Sequence, residues 1–167
     1  VISILLNQSV NGCPRAISNA EIILQELPQH FDVNNVLQLL VNSNPSLSLL
    51  HFISNLAEQP KVDYDDQSIC FCFLSNALKC ALFDDSKKPQ QIAAQIVGRV
   101  FVENEDAFNV FVDTLSQSEI NSLQNLLRPF FPTIELQQAT IEVPQYSSKE
   151  AKESLSEIQQ LIETAAD

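Results

Sequence analysis

Apolar residues recur at intervals of three and four along most of this chain, the spacing of one helix face. Ala16, Ile17, Ala20, Ile23, Leu24 and Leu27 fall on one such face. They predict a helix that starts with Pro14 in its first turn and stops before Pro28. A first helix over 2–9 precedes it and ends at Asn11-Gly12. Asp32 caps a third helix carrying Val33, Val36, Leu37, Leu40 and Val41. Asn44 as cap and Pro45 at the first position open a fourth, which runs to about Glu58. The fifth, from about Gln67 to Phe83, is apolar nearly all round and is expected to be the most buried. A sixth opens at Pro89 and a seventh after Asn104, burying Phe108, Phe111, Val112 and Leu115. The eighth starts at a capping box, Ser116 with Glu119, and ends near Pro129.

The pattern then changes. Phe130 to Tyr146 contains Pro132 and Pro144 and alternates weakly at Ile134/Leu136 and Ile141/Val143, so 131–147 reads as an extended linker. A second capping-box signature, Ser147 with Glu150, opens a C-terminal helix over 148–167. Its Ala151, Leu155, Ile158, Ile162 and Ala165 follow a heptad seam.

The helical part repeats itself with an offset of 74 residues. Ala20-Glu21-Ile22-Ile23-Leu24 aligns with Ala94-Gln95-Ile96-Val97-Gly98. Asp32, Asn35 and Val36 align with Asp106, Asn109 and Val110, and Leu49, Phe52 and Ile53 with Leu123, Leu126 and Leu127. Half the offset, roughly 37, suits one helical hairpin of a repeat array. Residues 1–130 are therefore expected to form an all-α domain, a short α-solenoid of antiparallel hairpins in two four-helix units. On period and helix placement this region resembles HEAT- and armadillo-type repeats. Among such families it is similar to the helical-repeat domains of microtubule regulators of the TOG/CLASP type. That resemblance implies a protein-binding scaffold. Gripping acidic tubulin would need basic loop edges, usually with a Trp, and this chain has no Trp and a net charge of −12. The resemblance then implies an adaptor-binding or assembly domain of a microtubule-associated or trafficking protein.

Composition narrows the function by exclusion. At 167 residues and 45% hydrophobic, the chain can bury a sizeable core. Two glycines, Gly12 and Gly98, are too few for a phosphate-cradling loop. The charge repels nucleic acid and anionic lipid, and the nine basic residues are scattered rather than striped. No apolar run approaches the ~20 residues of a membrane span. The start lacks Met and opens within an apolar helix, which reads as a fragment of a longer protein. Four cysteines, three in an apolar helix, suggest reduced thiols and an intracellular site, cytoplasmic or nuclear.

Candidate chemistry is sparse. Cys70, Cys72 and Cys80 lie within a helix, where C-x-C spacing does not let four zinc ligands converge, so they read as core. His30 and His51 belong to no catalytic motif, although a helical enzyme is the alternative from a different class; convergent polar groups around either His would favour it. The cluster Asp63, Asp65 and Asp66 lacks the mid-loop Gly and distal Glu of a calcium loop, and Asp65 or Asp66 reads as the cap of the following helix. The expectation is a non-enzymatic protein–protein scaffold without cofactor or metal. Its partner would be a protein, through a basic or helical segment, and the chain itself a monomer, with a homodimer as the alternative. The residues assigned to partner binding are Leu155, Ile158 and Ile162 on the C-terminal seam, and Asp63, Asp65 and Asp66.

Overall fold

A computed structural model describes residues 1–138. The C-terminal segment with Leu155, Ile158 and Ile162 lies outside the described residues. Those described form eight α-helices and no strand: α1 Ile2–Asn11, α2 Pro14–His30, α3 Val33–Gln38, α4 Leu47–Ala57, α5 Gln67–Phe83, α6 Lys87–Glu103, α7 Glu105–Asp113 and α8 Gln117–Leu127. Among the described residues no helix is long and apolar enough to cross a membrane.

Helix starts follow local chemistry. The Asp32 carboxylate accepts from the backbone N–H of Asn34 and Asn35, and the Asp66 carboxylate from Ser68. Ser116 and Glu119 make the full capping box, each side chain accepting from the other's backbone N–H. Four expected boundaries move. The cap of α4 is Ser46, whose Oγ accepts from Leu49 N at 3.1 Å; Asn44 and Pro45 lie outside the helix. The reason is a better-placed hydroxyl two residues on. Pro28 does not stop α2, which runs to His30 with the proline buried in its last turn. Its ring adds to the core, and Phe31 N still reaches Leu27 O at 3.1 Å. α3 ends at Gln38, and Leu40, assigned to that helix by its spacing, is fully buried in the turns that follow, while Val41 is exposed. α6 begins at Lys87, with Pro89 in the first turn, where a missing N–H leaves no bond unmade.

α5 occupies the centre. It packs against α3, α4, α6, α7 and α8. Ile69, Cys70, Phe73, Leu74, Ala77, Leu78 and Cys80 are buried, and Phe71 meets Phe111 edge-on at 5.4 Å. The helix is not covered all round, because Leu82 and Phe83 at its C-terminal end stay exposed. That end is closed from α6: Gln90 Nε2 donates to Ala81 O at 2.7 Å and to Asp84 O at 3.2 Å. Carbonyls that have no partner within the helix are thereby satisfied.

The sequence repeat maps unevenly onto this packing. Leu49, Phe52 and Ile53 of α4 and Leu123, Leu126 and Leu127 of α8 are all buried. Ile96 and Val97 of α6 are buried as well, but their counterparts Ile22 and Ile23 on α2 are exposed. The cause is coverage: α6 packs against α4, α5, α7 and α8, whereas α2 packs against α1 and α4. Caps also shift, since Asp32 caps α3 while its counterpart Asp106 sits in the first turn of α7, behind the cap Asn104.

Two substitutions test this account. Phe73→Ala is expected to cost about 3–5 kcal/mol in denaturant unfolding, the loss for a fully buried Phe. Gly98→Ala is expected to stabilise by about 0.5–1 kcal/mol, because Gly costs that much within a helix. Its Cβ would stand 4.0 Å from the rings of Phe130 and Phe131, an ordinary contact. A lower melting temperature for the Gly98 variant would contradict the packing described.

Candidate interaction surface

The acidic cluster is built into the α4–α5 connection. Asp66 is the α5 cap, and Asp63 accepts from Asp65 N at 3.1 Å, which tightens the turn. Hydrogen bonds from Ser68 hold the Asp66 carboxyl below its ordinary range. Tyr64 between them points inward. Its hydroxyl donates to Ala57 O at 2.8 Å, and its ring stacks on Phe73 with centroids 5.9 Å apart. Its own carbonyl accepts from the Asn104 amide at 2.8 Å and from the Cys70 thiol at 3.1 Å. The Asn104 side chain meanwhile caps α7 through its oxygen, accepting from Ala107 N at 2.9 Å. One amide therefore joins the α4–α5 connection to the start of α7. Asp63, Asp65 and Asp66 share one loop, and what that loop does in the fold is cap, turn and anchor.

The thiols are core groups. Cys70 and Cys80 are buried and Cys72 half-buried, while Cys13 is exposed at the start of α2. Burial pushes the Cys70 thiol up to about 11 and raises Cys72 and Cys80 too, which keeps all three protonated and poorly nucleophilic. Among the described residues no group of three or more His, Cys, Asp or Glu side chains could hold a metal ion. His51 lines a hollow of about 310 Å³ between α2 and α4, with polar neighbours Glu21, Gln25, Ser48 and Asn55. Polar groups thus do gather round one histidine. Burial, then the charge of Lys88, lowers its pKa and favours the neutral ring.

A longer groove follows α6. Two adjoining hollows, about 440 and 350 Å³, share Ala94, Gln95 and Phe130. The first lies against Leu126 and Pro129 at the end of α8, and the second extends past Gly98 to Val102 and Glu103. Val102 is 70% exposed and Phe130 52% exposed, so the groove presents apolar surface to water. Lys87 stands at one end and Arg99 towards the other. Phe131, by contrast, turns inward and meets Phe101 edge-on at 5.0 Å. Sequence reasoning passed over this groove. Its signals were Gly98, one of two glycines and set within a helix, and Phe130, which follows a helix-ending Pro129.

No family model, curated protein or solved structure matches this chain.

The Tyr64 anchor has a pH signature. Burial raises its hydroxyl from 10.0 to about 12. The neutral form is favoured in the folded state, so its stabilisation is complete below pH 10 and is lost as pH rises towards 12. Tyr64→Phe is expected to lower stability at neutral pH by about 1 kcal/mol, one net hydrogen bond. Its difference from wild type should shrink between pH 10 and 12. A difference independent of pH in urea titrations would refute the assignment.

Proposed function

We propose that this chain is a protein–protein interaction scaffold, a short α-solenoid that holds a segment of another protein along α6. The packing order supports the solenoid. Even-numbered helices pack in succession, α2 on α4, α4 on α6 and α6 on α8, and α3, α5 and α7 follow one another likewise. α1 backs α2 and α5 backs α6. Stacked helical pairs produce two such rows, because each pair must bury its apolar face on the next. The 74-residue sequence offset supports the same division into two four-helix units.

The observation that carries the function is the apolar groove on α6, with Val102 and Phe130 held in water. Covering such surface gains about 25 cal/mol per Å². The groove spans α6 from Lys87 to Glu103, which at 1.5 Å per residue is about 25 Å. The occupant it suits is a helical segment of another protein, some four turns long, with one apolar face. The charge of −12 would speed the approach of a segment with basic flanks. An adaptor-binding or assembly domain of a microtubule-associated or trafficking protein is the narrower form of this reading and rests on the repeat resemblance. A cytoplasmic or nuclear site belongs to the same proposal and is supported by four free cysteines.

The test compares the whole chain with Val102→Asp/Phe130→Asp and with Val41→Asp, an exposed apolar position outside the groove. A partner segment identified by affinity capture and cross-linking would be titrated against each by calorimetry. The groove variant is expected to weaken binding at least ~10-fold, about 1.4 kcal/mol, with circular dichroism and melting temperature unchanged. Val41→Asp should leave binding as it is. Equal affinities for all three chains would refute the groove.

A further inference from the structure

Taking α6 as the partner site proposed above, we infer that its groove is electrically polarised and selects a helical segment with basic residues at one end only, the end that lies over Glu103. Apolar groups occur in both hollows of the groove, Ala94 and Phe130 being shared, so they fix the occupant's apolar face without telling its two ends apart. What differs between the ends is charge.

One end is acidic by construction. Glu103 lines the second hollow and is the last residue of α6. Glu105 and Asp106 follow it in the first turn of α7, both exposed. The α4–α5 connection is held at the same corner, because Asn104 Nδ2 donates to Tyr64 O at 2.8 Å and exposed Asp63 and Asp65 flank Tyr64. The Tyr64 hydroxyl feels the charges of Arg99 and Glu103, which places the groove's end beside that connection. Against these carboxylates stand the cations Arg99 and Lys61. The C-terminus of α6 adds the partial negative charge of its last carbonyls.

The other end has the opposite balance. Lys87 lines the first hollow, Lys88 follows it, and Arg128 precedes Pro129 of the wall. Asp84 and Asp85 come just before α6 and offset part of that charge. The first turn of α6 contributes a partial positive charge. The ends stand about 25 Å apart, while the Debye length at physiological salt is about 8 Å. A side chain over one end is therefore screened from the other, and each end meets its own part of the occupant. A cation over Glu103 is attracted, whereas the same cation beside Lys87 meets like charge. Net charge alone would draw basic residues to either end, and the polarised groove sorts them by position. A second copy of the chain would bring another −12 to the same corner and is repelled.

The probe is a displayed library of helix-forming segments about 18 residues long, matched to the groove at 1.5 Å per residue and selected on the whole chain. Enriched segments are synthesised and titrated by calorimetry at low and physiological salt. Those that Val102→Asp/Phe130→Asp releases are groove binders. They are expected to carry Lys or Arg at one end, and a photo-reactive group placed there should mark residues around Glu103. Asp65→Lys/Glu103→Lys is expected to weaken them at least ~5-fold and to flatten their salt dependence. Neither of these side chains caps a helix, and circular dichroism checks the fold. Glu26→Lys/Asp85→Lys makes the same change in net charge on α2 and at the far end, and should leave affinity within ~2-fold. Groove binders with basic residues at both ends or at neither, or equal affinities for the two charge variants, would overturn the polarity and leave the groove standing. A library that yields no binder, or none released by Val102→Asp/Phe130→Asp, would refute the groove and the polarity together. A dimer in light scattering that this variant dissociates would give the groove to a second copy and overturn the inference.

Discussion

α5 is too apolar to stand at a surface, and the arrangement of the other helices answers that constraint. An ordinary surface helix hides one stripe. α5 buries Ile69, Phe73, Leu74, Ala77, Leu78 and Cys80 over half of its circumference, with Phe71 and Cys72 half-buried beyond them, and five helices close round it. α4 reaches it from the first half of the chain, and α6 turns back along it immediately after Asp84. Because α5 links the two halves in sequence and in packing, they share one core rather than two. The exceptions lie at its C-terminal end, where Leu82 and Phe83 remain outside.

Much of the helical order was legible from residues because the signals are local. Asp32, Asp66 and the Ser116–Glu119 box each act within three residues of themselves, and α5 runs between the acidic residues that flank it, Asp66 and Asp84. The errors occur where a distant contact outweighs a local preference. Pro28 reads as a stop, but burying its ring carries α2 past it. Leu40 fits a helical period, yet it reaches the core from a turn. Ile22 and Ile96 are equivalent by sequence and opposite by exposure, since coverage is a property of neighbours.

The interaction surface was less legible than the fold. The acidic loop stands out in the sequence by its charge, while its chief structural contribution is the uncharged Tyr64 between the carboxylates. The α6 groove has no motif: it forms where Gly98 leaves room beside the rings that follow α8. Such a surface depends on residues about thirty positions apart, and no window along the sequence contains them. Leu155, Ile158 and Ile162, assigned to partner binding from their heptad spacing, lie outside the described residues.

The Tyr64 carbonyl, shared by the Asn104 amide and the Cys70 thiol, has a further consequence. Cys70 is completely buried, and its proton is held against a carbonyl of the connection that covers it. A reagent in solution reaches that sulfur only when the packing around it opens. The rate at which Cys70 is alkylated therefore reports opening around the start of α5, through a thiol intrinsic to the chain. Whatever steadies the corner where α4, α5 and α7 meet will slow that reaction, and whatever loosens it will speed it.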